Sequence, residues 1–175
     1  PKTINDTISP RIKDNDIVIE ELNMSDEEIK EITKIHIVAC GSAYHTGVTA
    51  KYVIEGLARI PVEVDVASEF RYRDPILQKG NMVIVISQSG ETADTLAALR
   101  ESRERGFKVL GIVNVVGSSI AREADSVMYT WAGPEIAVAT TKAYSAQLTA
   151  LYMLAMKFAR VRGTIDQEKF AGMLT

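Results

Sequence analysis

Short apolar segments recur along the chain and alternate with longer segments of mixed polarity. Five of them read as strands, over residues 34–40, 62–67, 81–87, 108–115 and 126–132. The segment 62–67 (VEVDVA) alternates apolar and polar residues, which is typical of a strand with one buried face. The segment 81–87 (NMVIVIS) is apolar enough to be buried on both faces. The pattern predicts a sheet of five strands, some of them covered from both sides.

The segments between the strands have helical spacing. Helices are predicted over residues 42–59, 68–73, 92–106, 117–125 and 139–163. Ser25 and Glu28 have the spacing of a capping box and predict a further helix before the first strand. Strands that alternate with helices favour a parallel sheet with helices on both faces. The predicted fold is therefore α/β, a three-layer, doubly wound sheet of five parallel strands in the flavodoxin-like order 2-1-3-4-5.

The two ends of the chain differ from this alternating region. Residues 1–24 are polar and irregular, with one possible short strand at 17–19, and are interpreted as a linker or arm from a preceding domain. The predicted domain covers 25–163, and residues 164–175 would begin a linker to a following domain. The chain starts with Pro1 and stops inside a helical pattern, so we expect a domain taken from a longer polypeptide, with trimmed or disordered ends as the alternative.

A hydroxyl-rich turn follows the third predicted strand. In a sheet of order 2-1-3-4-5, ligands bind beyond the carboxyl ends of the first and third strands. The first strand ends at Cys40-Gly41-Ser42 and the third at Ser87-Gln88-Ser89, with Gly90 and Thr92 next. Hydroxyls beside the free N–H groups of a helix N-terminus can hold a phosphate without lysine or arginine. The alternative is that Ser89 or Thr92 only caps the helix.

Composition and motifs exclude several other classes of function. The net charge of −3 argues against nucleic acid and anionic membranes as partners, and no apolar run reaches the length of a membrane span. The phosphate-binding patterns of P-loop and dinucleotide-binding proteins are absent, so no cofactor is expected. Cys40 is the single cysteine, which excludes an internal disulfide and favours a reducing, cytoplasmic location. With only His36 and His45 beside it, a structural zinc site is not expected.

Long motifs around these loops resemble a known family. The stretch SQSGETADTL (87–96) resembles the phosphosugar-binding signature of SIS (sugar isomerase) domains. The stretches at 39–47, 61–73, 114–123 and 132–148 are similar to the first SIS domain of glutamine–fructose-6-phosphate aminotransferases. That family makes glucosamine 6-phosphate from fructose 6-phosphate and glutamine, the first step of the hexosamine pathway. Its members carry a glutaminase domain and two SIS domains, and SIS domains pair, so the resemblance implies these partner domains and a homodimer.

The resemblance also implies which residues bind the sugar phosphate. The implied contacts are Cys40, Gly41, Ser42, Ala43, Ser87, Gln88, Ser89, Thr92 and Val138. The family often has serine where this chain has Ala43, so only a backbone contact is implied there. The family's catalytic lysine, glutamate and histidine match no residue of this chain. We therefore expect no catalytic residue here and no turnover by this chain alone.

Two other functions use the same fold. One is a regulatory sugar-phosphate sensor, although residues 1–34 lack the pair of basic helices that would bind DNA. The other is a stand-alone phosphosugar isomerase. Cys40, His45 and Lys142 are interpreted as structural residues. Glu91 has two open roles, a favourable interaction with the helix dipole or exclusion of a second anion.

Overall fold

The computed structural model describes residues 1–134 and 140–174. The strands are β1 (Ile12–Lys13), β2 (Asp16–Ile17), β3 (Lys34–Ala39), β4 (Val62–Val66), β5 (Asn81–Ser87), β6 (Lys108–Val113) and β7 (Ser126–Tyr129). The helices are α1 (Lys2–Ile8), α2 (Asp26–Lys30), α3 (Gly41–Ala58), α4 (Ala67–Tyr72), α5 (Ala93–Glu104), α6 (Ser119–Glu123), α7 (Lys142–Arg162) and α8 (Gln167–Leu174). None of these helices is both long and apolar enough to cross a membrane.

The main sheet has five parallel strands in the order β4-β3-β5-β6-β7. Strand β3 lies between β4 and β5, with Ala39 paired to Val66 on one side and to Ile86 on the other. This confirms the predicted order 2-1-3-4-5. The switch point is at β3 and β5, whose carboxyl ends are therefore adjacent.

Helices cover both faces of the sheet, as predicted. One core is formed by alternate strand residues such as Ile37 and Ile84 packed against α3 and α7, which contribute Ile54 and Leu154. The residues between them point to the opposite face, where Val38 and Val85 pack with Phe70 of α4 and Leu99 of α5. Because strand side chains alternate between faces, one apolar run supplies both cores.

The N-terminal segment is more ordered than its polar composition predicts. Residues 2–8 form a helix that packs on α7, and β1 pairs with β2 in place of the short strand expected at 17–19. Arg11, Thr7 and Leu22 hydrogen-bond to the β7 region at the edge of the sheet. This segment therefore covers a sheet edge that would otherwise expose unpaired backbone groups. Whether it also connects to a preceding domain stays a prediction.

A buried histidine lies on the central strand. His36 has no exposed surface, and its Nε2 lies 3.3 Å from Oδ1 of Asn81. Its ring packs edge-on to Phe70 with centroids 6.3 Å apart. Burial, together with the positive charge of Lys34, lowers the pKa of His36. Folding therefore favours the neutral form of the imidazole.

This neutral histidine predicts a loss of stability in mild acid. Because the folded-state pKa of His36 lies below the unfolded value of about 6.5, the unfolded chain takes up the proton first as pH falls. Stability is thus fully present above that pH and declines below it. Thermal unfolding from pH 7.5 to 5.5 should show a smaller loss for His36→Leu than for the parent. Equal losses would contradict the prediction. Asn81 Oδ1 keeps a donor in the variant, because the Gln78 N–H also bonds it at 3.0 Å.

Candidate functional site

Two adjacent loops form a cavity of about 250 Å³ at the carboxyl end of the sheet. One loop runs from β3 through Cys40 into α3, and the other runs from β5 through Gln88–Thr92 into α5. Seven of the residues implied by sequence line this cavity: Cys40, Ser42, Ala43, Ser87, Gln88, Ser89 and Thr92. Gly41 is the first residue of α3 and does not line the cavity. Val138 falls outside the described residues.

The hydroxyls of the second loop shape its turn. Ser87 Oγ accepts a hydrogen bond from the Gly90 N–H (3.0 Å) and lies 3.0 Å from Thr92 Oγ1. Ser89 Oγ accepts from the Glu91 N–H at 3.2 Å. Gly90 has a φ of +69°, a conformation that glycine adopts without strain. These bonds hold the turn so that Ser87, Gln88, Ser89 and Thr92 line one cavity.

Neither helix that opens on the cavity is capped by a side chain. Thr92 is the N-cap residue of α5, but its hydroxyl bonds Ser87 rather than the first turn of the helix. Cys40 is the N-cap residue of α3 and also makes no capping bond. The first N–H groups of α3 and α5 therefore have no side-chain cap. These N–H groups, and the positive dipole ends of the two helices, point toward the same cavity. The alternative that Thr92 only caps α5 is not what the structure shows.

Glu91 has a defined role in this arrangement. Its Oε1 accepts a hydrogen bond of 2.7 Å from the Ser119 N–H at the start of α6. Hydrogen bonds from the side chain and backbone of Ser119 lower the pKa of Glu91. The carboxylate therefore interacts with the N-terminus of α6, not with that of α5, and it does not line the cavity.

Three further residues line the cavity that sequence reasoning did not select: Ile86, Thr140 and Gln147. Ile86 is the next-to-last residue of β5 and forms an apolar part of the cavity wall. Thr140 lies in the ATTK stretch just before α7. Gln147 could have been noticed, because it is a polar residue on a helical face otherwise made of Ala143, Ala146 and Ala150.

The remaining candidates have structural contacts. Cys40 Sγ lies 3.9 Å from Thr95 Oγ1, and Lys142 Nζ donates to the Pro134 carbonyl at 2.5 Å. His45 is exposed and packs edge-on to the Tyr44 ring at 5.4 Å. These contacts support the structural interpretation of Cys40, His45 and Lys142.

Two other features could be mistaken for sites. A cleft of about 490 Å³ lies at the opposite end of the sheet, and its cations Arg103 and Lys108 are paired with Asp125 and Glu28. Another feature is a group of possible metal ligands, His36, Glu63 and Asp65, within 4.8 Å of one another. Arg73 bonds both of these carboxylates, and Lys34 bonds Glu63. The cations of the cleft, and the carboxylates of the His36 group, are therefore neutralised by ion pairs within the protein.

Comparison with known proteins identifies the fold family. The SIS domain model matches residues 28–157. Glutamine–fructose-6-phosphate aminotransferase (isomerizing) of Clostridium tetani is 60% identical over 97% of the chain, and that of Caldanaerobacter subterraneus is 58% identical over 100%. The chain spans 28% and 29% of the length of these relatives. Among solved structures, the C-terminal domain of the Francisella tularensis glucosamine-fructose-6-phosphate aminotransferase superposes with a TM-score of 0.92, at 40% identity, over 99% of this chain and 48% of that one. The chain belongs to the SIS domain family.

Proposed function

We propose that this chain is the fructose-6-phosphate-binding SIS domain of a longer glutamine–fructose-6-phosphate aminotransferase. The observation that carries the proposal is the turn 87–92, four of whose residues line one cavity together with two helix N-termini that no side chain caps. The relatives named for this enzyme match nearly the whole chain, and their names state its two substrates. The whole enzyme would transfer the amide nitrogen of glutamine to the sugar phosphate and isomerise it to glucosamine 6-phosphate.

The cavity divides into a phosphate end and a sugar end. Ser87, Gln88, Ser89 and Thr92 would bind the phosphate together with the first N–H groups of α5. The turn Cys40–Ala43 would contact the sugar, with Ser42 using its hydroxyl and Ala43 only its backbone. The family resemblance implies a sugar contact for Val138 as well. Gln88 would bind the phosphate through the N–H groups of its amide, because its Oε1 can only accept a hydrogen bond and is buried away from solvent.

The phosphate end uses neutral donors. The residues found to line the cavity include no lysine or arginine. Hydrogen bonds and helix dipoles at close range therefore supply the attraction, in place of the cationic side chains that many phosphate sites use. Neutral hydroxyls also impose no net positive charge that would attract unrelated anions from a distance.

The same proposal names the partners of the chain. The parent protein would carry a glutaminase domain and a second SIS domain, which would supply the catalytic groups, and it would act in the cytoplasm. Residues 1–24 and 164–175 would connect this domain to them. We further propose that two copies pair, because Tyr52 of α3 is 70% exposed and Tyr152 of the adjoining α7 is 37% exposed.

Binding measurements with single-hydroxyl variants test this function. Ser89→Ala and Thr92→Val should each weaken fructose 6-phosphate binding about tenfold to a hundredfold, since a hydrogen bond to a charged group is worth roughly 1.5–3 kcal/mol. Ser42→Ala should weaken binding of fructose 6-phosphate but not of inorganic phosphate. Calorimetric titration of each variant with both ligands measures these differences.

Ser9→Ala is the matched control, because it removes an exposed hydroxyl from the far N-terminal segment. Circular dichroism should show that every variant keeps the parent's fold. If Ser89→Ala and Thr92→Val bind fructose 6-phosphate as tightly as the parent, the turn does not hold the phosphate and the proposed function is wrong.

A further inference from the structure

A buried glutamine forms part of the cavity wall on α7. Gln147 is 3% exposed, and its neighbours on the same helical face, Ala143, Ala146, Ala150 and Leu151, are all fully buried and apolar. A buried carboxamide is costly unless its polar atoms are hydrogen-bonded. Its presence on an otherwise apolar face, beside a cavity, therefore requires partners for both ends of the amide.

Among the residues that the structure describes, only one end of this amide has a hydrogen-bond partner. Gln147 Oε1 accepts from Thr46 Oγ1 of α3 at 3.3 Å. The same threonine hydroxyl lies 3.3 Å from the Ser42 carbonyl oxygen, so its single proton is shared between two acceptors. Within residues 1–134 and 140–174 the Gln147 amide nitrogen has no hydrogen-bond acceptor, and it is not among the buried atoms closed off from solvent. Its two N–H groups are therefore available to the cavity.

The position of Gln147 determines which part of a ligand it meets. Helices α3 and α7 cover one face of the sheet, and α5, which carries the phosphate end, packs on the other face. Gln147 lies on the α3 side and is linked through Thr46 to the turn at Ser42. A ligand whose phosphate occupies the turn 87–92 would present its sugar oxygens toward this side.

We propose that the Gln147 carboxamide donates a hydrogen bond to an oxygen of the sugar portion of the bound sugar phosphate and thereby contributes to selection of the sugar. This inference rests on the proposed function. A site that hydrogen-bonds a polar substrate group discriminates strongly against ligands that lack it, because its own buried polar group is then unpaired. Inorganic phosphate, which has no sugar portion, does not use the Gln147 amide.

Substitution of Gln147 by residues of similar size tests the contact. Gln147→Met removes both amide atoms at nearly constant volume and should weaken fructose 6-phosphate binding about tenfold, the equivalent of one hydrogen bond. The affinity for inorganic phosphate should change less than twofold, which corresponds to less than about 0.4 kcal/mol of binding free energy. Gln147→Glu keeps an acceptor for Thr46 but has no amide donor, so it should lose at least as much affinity for the sugar phosphate.

Thr46→Val is the matched control, because it breaks the bond between α3 and α7 while leaving the carboxamide in the cavity. It should weaken fructose 6-phosphate binding less than Gln147→Met does. Equal losses in these two variants, or an unchanged affinity in Gln147→Met, would mean that Gln147 is only a bond between helices and would overturn the inference. If the parent chain binds neither ligand, the proposed function fails instead. Thermal unfolding of each variant verifies that the domain is folded at the titration temperature.

Discussion

Gly90→Ala is expected to reduce sugar-phosphate and inorganic-phosphate binding by about a hundredfold or more, the loss of at least two charge-assisted hydrogen bonds. Gly90 has a φ of +69°, where a residue with a Cβ atom is strained. A Cβ placed there would lie 2.0 Å from Ser118 Oγ and 2.5 Å from Ser118 Cβ. Both distances are far inside van der Waals contact, so one of the two residues must move.

Ser118 has little freedom to move, so the turn must shift instead. Ser118 is buried at the N-cap position of α6, and the adjoining backbone is fixed because the Gly90 carbonyl accepts from the Ile120 N–H at 3.0 Å. The Gly90 N–H also donates to Ser87 Oγ. Displacement of Gly90 would break these bonds and move Ser89 away from Ser87 and from the N-terminus of α5. Phosphate affinity should therefore fall much more than with the loss of one hydroxyl.

Two companion variants identify the cause. Gly56→Ala on α3 meets no atom within 4 Å and should keep parental binding while stabilising the helix by about 0.5–1 kcal/mol. Adding Ser118→Gly to Gly90→Ala removes the clash and leaves only the backbone strain, so binding should partly return. Parental phosphate affinity in Gly90→Ala, measured by calorimetry on a folded sample, would show that the turn does not depend on this glycine.

Local patterns were sufficient to predict the sheet and the place of the cavity. The apolar run at 81–87 coincides with β5, and the run at 34–40 exceeds β3 by one residue. Alternation with helices indicates parallel strands, and the order 2-1-3-4-5, which suits five such strands, places Ser42 and Ser87 side by side. These inferences succeed because apolar periodicity and the handedness of crossovers are properties of short segments.

Contacts between distant segments were beyond the reach of such patterns. Thr46 bonds Gln147 across 101 residues, and Arg11 bonds the Tyr129 carbonyl across 118. Neither pairing has a periodic signal, since each depends on how α1, α3 and α7 pack on the finished sheet. The role of Glu91 was open for the same reason, because its partner Ser119 is 28 residues away. The hydrogen-bond partners of polar residues therefore have to be read from the structure, whereas the burial of apolar residues can be predicted from their spacing.

The largest effect on stability is expected from Arg11→Met. Arg11 is 1% exposed, although a guanidinium is rarely buried so completely. It bonds Glu21 with two nitrogens at 2.7 and 3.0 Å, the Thr7 carbonyl at 2.7 Å and the Tyr129 carbonyl at 2.9 Å. These bonds connect the N-terminal segment to the end of β7, the edge strand of the sheet.

Methionine can fill the space but cannot replace these bonds. Glu21 would lose its cation and two backbone carbonyls would lose their donor, a combination that typically costs about 3–5 kcal/mol when the pair is buried. Glu21 is 36% exposed and can be partly hydrated, so about 3 kcal/mol is expected, equivalent to a fall in melting temperature of about 10 °C. Differential scanning calorimetry of the parent and variant measures this loss.

The ion pair Lys13–Glu20 offers a control in the same segment. Its side chains are 51% and 71% exposed, and such surface pairs contribute about 0–1 kcal/mol, so Lys13→Met should leave the melting temperature nearly unchanged. If Arg11→Met is no more destabilising than Lys13→Met, then residues 1–24 do not contribute to the stability of the sheet. If only Arg11→Met is destabilising, the segment that its polar composition marks as a linker is part of the folded unit. Phosphate affinity should be retained in both variants at temperatures where they are folded, because the covered edge at β7 lies two strands away from β5 and its turn.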